Sequence, residues 1–299
     1  MAGVTNTVFR RICRAHGADV LVTEFVSADG IMHKNKRTRE YLEFQESERP
    51  LGVQLFGAEP ERLAEAAKQV VDWVRPDFID LNFGCPVNKV VSRNGGSALL
   101  KDCPLLEKVA RAVVQASPVP VTAKIRLGWS ESSINACQNA RILEEAGVQA
   151  IAVHGRTKEQ GYSGVADWNR IAEVAEAVSV PVIGNGDINS AEDVLLRRNS
   201  SRIRGVMIGR AAMSGPWIFG QIKHYLATGE KLPELSLEKK WELILDHCRE
   251  EVATRSAERP VMHSMRARLM AYSRGMPGVR RRACSCAPWR YADAAQRPR

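Results

Sequence analysis

Seven short runs rich in Val, Ile and Leu recur at intervals of about 25 to 35 residues through the first 210 positions, with amphipathic stretches between them. The runs are Ala18–Val26, Leu51–Phe56, Phe78–Phe83, Val119–Leu127, Ala150–His154, Val180–Gly184 and Gly205–Ile208. Several are nearly continuous in apolar residues, the pattern of parallel strands covered on both faces. Between them, Glu61–Trp73, Pro104–Ala116, Ser133–Ala146 and Trp168–Ala177 place apolar residues at helical spacing. Pro104 suits a first helical turn, Ser190-Ala-Glu-Asp193 reads as a capping box, and Gly17 and Gly147 are helix stops. Strict strand–helix alternation implies a parallel sheet with right-handed crossovers.

Seven such units are one short of a TIM (β/α)8 barrel. The chain opens on a turn-like segment that leads directly into a helical stretch, Thr7–His16, as expected if the first barrel strand lies upstream of Met1. A doubly wound open sheet is the other architecture, but no Gly-x-Gly-x-x-Gly follows any strand. After Arg210 the pattern turns helical, at Pro216–Thr228 and Leu237–Thr254. The sequence therefore divides into a barrel over 1–228, a helical domain over 229–278 and a tail over 279–299. The tail carries three consecutive Arg, two Cys and two Pro without helical period, and reads as disordered or foreign to the fold.

The formal charge of +9 hints at a polyanionic partner until it is divided. Residues 261–299 hold nine Arg and one acid, which leaves 34 basic and 33 acidic residues in the first 260. The body is nearly neutral, so bulk charge argues weakly for nucleic acid. Hydrophobic residues at 44% and charged residues at 26% exclude wholesale disorder. No apolar run approaches the ~18 residues of a membrane span, and no basic-then-apolar leader opens the chain. Seven scattered cysteines suit a reducing cytoplasm better than a disulfide scaffold. Cys284-Ser-Cys286 supplies two thiols without a second pair, so no structural metal is expected.

In a barrel the chemistry gathers at the carboxyl ends of the strands. Here those ends carry Gln54, Asn82-Phe-Gly-Cys85-Pro, Lys124-Ile-Arg126, His154-Gly-Arg156-Thr157, Gly184-Asn-Gly-Asp187 and Gly209-Arg210. Glycine-rich turns after the last two strands present backbone N–H groups to a phosphate, with Arg210 as a charged fork, or simply make tight turns. Lys124 inside an apolar strand faces an electron-rich ring or a developing negative charge, or else a neighbouring acid. His154 donates to a phosphate, pairs with a substrate carbonyl or sits satisfied in the core. Cys85, at a strand end, is a catalytic thiol or a small inert hydrophobe. Lys89 and Arg93 nearby hold an anionic backbone or form a solvated face.

Taken together these motifs resemble the tRNA-dihydrouridine synthases, the DusB-like bacterial branch most of all. Met1-Ala-Gly-Val-Thr5, Val53-Gln-Leu-Phe56, Asn82-Phe-Gly-Cys-Pro86, Gly95-Gly-Ser-Ala-Leu-Leu100, Lys124-Ile-Arg126, Val153-His-Gly-Arg-Thr157, Gly184-Asn-Gly-Asp187 and Ile208-Gly-Arg210 occur in order, and the likeness runs to about Gly278. The resemblance implies a monomeric, FMN-bound TIM barrel with a helical tRNA-binding domain, which reduces particular tRNA uridines with NADPH. It makes Cys85 the proton donor and places Met1, Ala2, Gln54, Lys124, His154, Asn185, Gly186, Asp187, Gly209 and Arg210 against FMN, with Asn82 and Arg126 at the uracil. It also implies a missing first strand, an open barrel seam and an atypical C-terminus. The chemistry is coherent: uracil C6 accepts hydride, C5 then needs a proton, and a thiol with pKa near 8.5 is mostly protonated at neutral pH. A target base stacked in folded tRNA must swing out to reach the barrel mouth. Two other readings stand beside this one: an FMN enzyme of free pyrimidines, of the dihydroorotate or dihydropyrimidine dehydrogenase type, and an inactive truncated product.

Overall fold

The structure is a computed structural model that describes residues 3–276 except 34, 256, 257 and 275. Met1, Ala2 and the 279–299 tail thus lie outside the described residues. Eight strands form one parallel sheet: β1 (Leu21–Val22), β2 (Val26–Ser27), β3 (Leu51–Phe56), β4 (Phe78–Asn82), β5 (Val121–Arg126), β6 (Ala150–His154), β7 (Val182–Asn185) and β8 (Gly205–Met207). Strands β3 to β8 pair in sequence order, and β1 and β2 both pair with β3. The sheet therefore has seven strand positions and curls into a TIM-barrel-like α/β fold. Among the described residues β8 pairs only with β7, and a seam stays open between β8 and β1.

Helix α1 (Thr7–Ala15) precedes the sheet, and helices α2 (Ala28–Met32), α3 (Lys36–Glu40), α4 (Pro60–Val74), α5 (Asn88–Val91), α6 (Cys103–Ala116), α7 (Ala136–Glu145), α8 (Trp168–Ala177), α9 (Ala191–Asn199), α10 (Arg210–Ser214) and α11 (Ile218–Thr228) follow the strands. The longer ones bury apolar stripes such as Leu63, Ala66, Ala67 and Val70 of α4 against the outer sheet face. That face carries Val53, Leu55, Ile79, Leu81, Ala123, Ile125, Ile151 and Val153, all fully buried. Fully burying one such side chain stabilises the fold by about 1.5–3 kcal/mol, so the helix layer over the outer sheet face dominates its stability. Asp102 caps α6, and the Ser190–Asp193 capping box closes reciprocally at the start of α9.

Three differences from the sequence reading have local causes. The run Ala18–Val26 is not one strand. Val22 to Val26 spans one residue more than its partner stretch Gly52 to Leu55, and the Thr23 hydroxyl, not a carbonyl, accepts the Gln54 N–H at 3.1 Å. That extra residue is a bulge, and it divides the strand. Strands β5 and β7 start two residues later than expected, each directly after a proline (Pro120, Pro181), which has no N–H to donate to a ladder. The helix expected from Ser133 begins at Ala136, because Glu131–Ser133 form a separate 3-10 turn.

Helices α12 (Leu237–Arg255) and α13 (Glu258–Tyr272) pair with each other and lean on α1 and α10. No simple apolar period marks α13, because the face it buries holds Arg268 and Tyr272 as well as Val261 and Met265. Arg268 bonds His247 Nε2 at 3.0 Å, donates to the Val4 carbonyl and lies 4.2 Å over Phe9. Among the described residues no helix is long and apolar enough to cross a membrane.

Candidate active site

The lumen face of the sheet carries its polar residues in rows. Gln54, Asp80 and Thr122 lie in register across β3, β4 and β5; Asn82 and Lys124 form the next row; Arg126, His154 and Asn185 form the third, at the carboxyl rim. Period-two alternation puts all eight on one side. Ile183 and Met207, half-exposed, continue the same face on β7 and β8 and leave an open hollow.

Cys85 stands just past β4, at 7% exposure. Its backbone N–H and that of Gly84 both donate to Asn82 Oδ1, at 2.9 and 3.1 Å. Its carbonyl accepts from the Ser97 backbone N–H at 3.1 Å and the Ser97 hydroxyl at 2.9 Å. Gly96, at φ +59°, allows that approach; a Cβ there would sit 2.8 Å from the Cys85 oxygen. Burial pushes the Cys85 thiol above its ordinary value, and the Val87 N–H and the charges of Arg126 and Lys124 only partly offset this. The group is a thiol at neutral pH.

Arg126 Nε donates to the Gly84 carbonyl at 2.8 Å, and its Nη1 donates to the Thr157 and Gly161 carbonyls at 2.8 and 2.9 Å. Three of its five N–H groups thus tie the Cys85 loop to the loop after β6, and Nη2 alone is left for anything else. Lys124, half-buried beside it, makes no hydrogen bond or ion pair among the described residues. Burial and the Arg126 charge push its pKa down to about 8. His154 is buried, and neither ring nitrogen is bonded among the described residues. Burial, then the charges of Lys124, Arg126, Arg156 and Arg210, hold it well below the usual histidine range, so it is neutral.

Further round the same carboxyl rim, Gly186 (φ +127°) and Asp187 (φ +51°) form the turn after β7, and Asn185 Nδ2 donates to the Met207 carbonyl at 2.7 Å. Gly209 stands as the N-cap of α10. Arg210 is not a free fork: it donates to Asp187 Oδ1 at 2.8 Å and lies 5.2 Å over the Tyr162 ring. Asp187 also receives Arg156 and the Ala166 N–H. The polar residues of β3 to β8 accordingly converge on one hollow. Asp80, Thr122, Arg156 and Tyr162 had no role assigned from sequence; Asp80 lies two residues before Asn82, a spacing that puts both on one strand face.

The hollow suits a large anionic, ring-bearing group. An ammonium and a neutral imidazole that have no hydrogen-bond partner among the described residues, half-exposed apolar side chains on β7 and β8, and glycine turns at their ends all border it. A 260 Å³ cavity lined by Ser27, Phe56, Arg62, Arg93 and Gly95 adjoins the Cys85 loop. A wider groove of 540 Å³, with Cys137, Arg141 and Glu173, lies on the outer helices α7 and α8.

Residues 1–286 match the model of the family described as Dihydrouridine synthase (Dus). The chain belongs to the dihydrouridine synthase family. The match reaches past Gly278, where the motif-by-motif likeness ends. A tRNA-dihydrouridine synthase B of Pseudomonas aeruginosa is 43% identical over 250 residues, covering 84% of this chain and 75% of the relative. A probable tRNA-dihydrouridine synthase of Rickettsia bellii is 42% identical over 248 residues, covering 83% and 76%. Among solved structures, histamine dehydrogenase from Rhizobium sp. 4-9 superposes at a TM-score of 0.50 and 14% identity, over 75% of this dihydrouridine synthase and 43% of that chain. That likeness is one of fold alone.

Proposed function

We propose that this dihydrouridine synthase reduces the C5–C6 double bond of specific uridines in tRNA, with FMN as resident cofactor, NADPH as reductant and Cys85 as the proton donor. The observation that carries the reading is a buried, protonated thiol at the rim of a hollow that also holds a lysine unpaired among the described residues. A reduced flavin held in this hollow would supply the hydride that uracil C6 accepts. Negative charge then develops through the C4 carbonyl, and the Cys85 Sγ–H breaks as a new C–H bond forms at C5. The resulting thiolate takes its next proton from solvent. Lys124, mostly charged below pH 8, stabilises negative charge in the hollow. His154, neutral, offers one donor and one acceptor. Gln54, Lys124, His154 and the turns at Asn185–Asp187 and Gly209–Arg210 would hold the cofactor; Asn82 and the free Nη2 of Arg126 would meet the uracil.

A tRNA substrate is supported by the names of the relatives and by the rim. Lys89 and Arg93 are exposed on the Cys85 loop, Lys101 and Lys158 lie 3.9 and 4.3 Å from the Trp129 ring, and Tyr162 is 56% exposed. Cations beside aromatic faces suit phosphates and splayed bases. The test is a flavin spectrum of the purified protein together with dihydrouridine formation on unmodified tRNA. Yellow protein that forms dihydrouridine is expected. Turnover of free uracil or orotate with none on tRNA would overturn the substrate, and colourless protein that binds no added FMN would overturn the cofactor.

A further inference from the structure

The backbone that carries Cys85 is held from the barrel floor. Asn82 Oδ1 accepts the N–H groups of Gly84 and Cys85, so its amide nitrogen must face the other way, and Nδ2 donates to Gln54 Oε1 at 2.7 Å. Gln54 then has only its own nitrogen to turn downward, and Nε2 donates to Asp80 Oδ2 at 2.6 Å. The second oxygen of Asp80 accepts from the Thr122 hydroxyl at 2.6 Å. Asn82, Gln54 and Asp80 are all buried, on neighbouring strands of the lumen face. The relay has a sense. Rotating either amide by half a turn sets N–H against N–H at one end and oxygen against oxygen at the other.

Of the groups in the relay, a carboxylate alone accepts at both ends. We propose that Asp80 is a positioning residue for Cys85: its carboxylate fixes the orientation of the Gln54 and Asn82 amides, and through them the Gly84–Cys85 backbone that aims the thiol. The role of the thiol as an acid rests on the function proposed above, whereas the relay itself does not. Burial raises the Asp80 carboxyl, and Gln54, Thr122 and the Lys124 charge partly counter this. Asp80 and Lys124 feel each other's charge without forming an ion pair, whereas both Asp80 oxygens are engaged by Gln54 and Thr122.

Hydrogen exchange read by mass spectrometry on the full chain tests the relay. Asp80→Leu removes the acceptor at the floor, and the peptide holding Gly84 and Cys85 should exchange about tenfold faster while β6 and β7 peptides keep their rates. Gln54→Glu sets two carboxylates face to face and should have the same local effect. The double variant Gln54→Glu/Asp80→Asn restores the sense, because the new amide on β4 donates to the new carboxylate on β3, which still accepts from Asn82. Its exchange should return to within about threefold of the parent. Unchanged exchange at Cys85 in Asp80→Leu would overturn the proposal. If that variant does not fold, the Gln54→Glu pair decides, and failure of Asp80→Asn to reverse Gln54→Glu is the overturning result. Flavin absorbance and dihydrouridine yield on the same preparations report separately on the proposed chemistry.

Discussion

Arg156, 2% exposed, grips both oxygens of Asp187, at 3.0 Å from Nη1 to Oδ1 and 2.7 Å from Nη2 to Oδ2. Its Nε and Nη2 also reach the Ser163 and Gly164 carbonyls, at 3.0 and 2.7 Å. One carboxylate therefore joins the loop after β6 to the turn after β7 and holds Arg210 on its outer side.

Asp187→Asn keeps a residue that tolerates the left-handed backbone but leaves a buried guanidinium without its charge partner. We expect a loss of about 2 kcal/mol in urea unfolding at pH 7, discounted from the value for a fully buried pair because Asp187 is partly exposed. Partial burial raises this carboxyl, but the Arg156 hydrogen bond, the Ala166 N–H and the charges of Arg156 and Arg210 outweigh that and hold it below the usual range. Its contribution is present above the unfolded carboxylate value near 3.9 and is lost as pH falls through the lower folded value. The gap between parent and variant should shrink below pH 4. A gap that grows on acidification would contradict the pair.

At Gly96 an alanine would have to take φ +59° and push its Cβ against the Cys85 carbonyl. Gly96→Ala should cost about 1–3 kcal/mol of stability and lower dihydrouridine formation at least tenfold, because the loop that relaxes is the one carrying the thiol. Thermal melting and turnover check this together. A variant that melts lower yet turns over fully would separate the loop from the chemistry.

The lowered pKa of Lys124 gives two pH signatures. Activity should fall as pH rises through about 8, where the side chain loses its charge. Stability runs the opposite way. Between about 8 and the unfolded lysine value near 10.4 the unfolded chain binds the extra proton, so unfolding free energy rises with pH, by at most about 3 kcal/mol given the partial exposure. Lys124→Met should abolish both trends. Persistence of either trend would assign it to another group.

The strands that could be read from sequence were those with uninterrupted Val, Ile and Leu, and Leu51–Phe56 and Ala150–His154 occur with those bounds. What could not be read depends on partners distant in the chain. The division of the first strand needs Gln54 to find the Thr23 hydroxyl, 31 positions away. Arg156 and Asp187 are likewise 31 residues apart, and no spacing rule joins them. Arg126 is legible as a rim residue, but its three backbone ties appear only once the loops after β4 and β6 are placed. Asp80 was open to inference, since alternation sets it beneath Asn82, yet a lone acid in an apolar strand carries no sign of what it orients.

The central claim is that Cys85 delivers the proton to C5. It is tested most directly by mixing photoreduced, FMN-loaded Cys85→Ala with unmodified tRNA and following flavin reoxidation and dihydrouridine in a single turnover. The account predicts that the variant binds FMN and is reduced by NADPH as the parent is, while dihydrouridine forms about 10²–10⁴-fold more slowly. Dihydrouridine formed at the parental rate would contradict it.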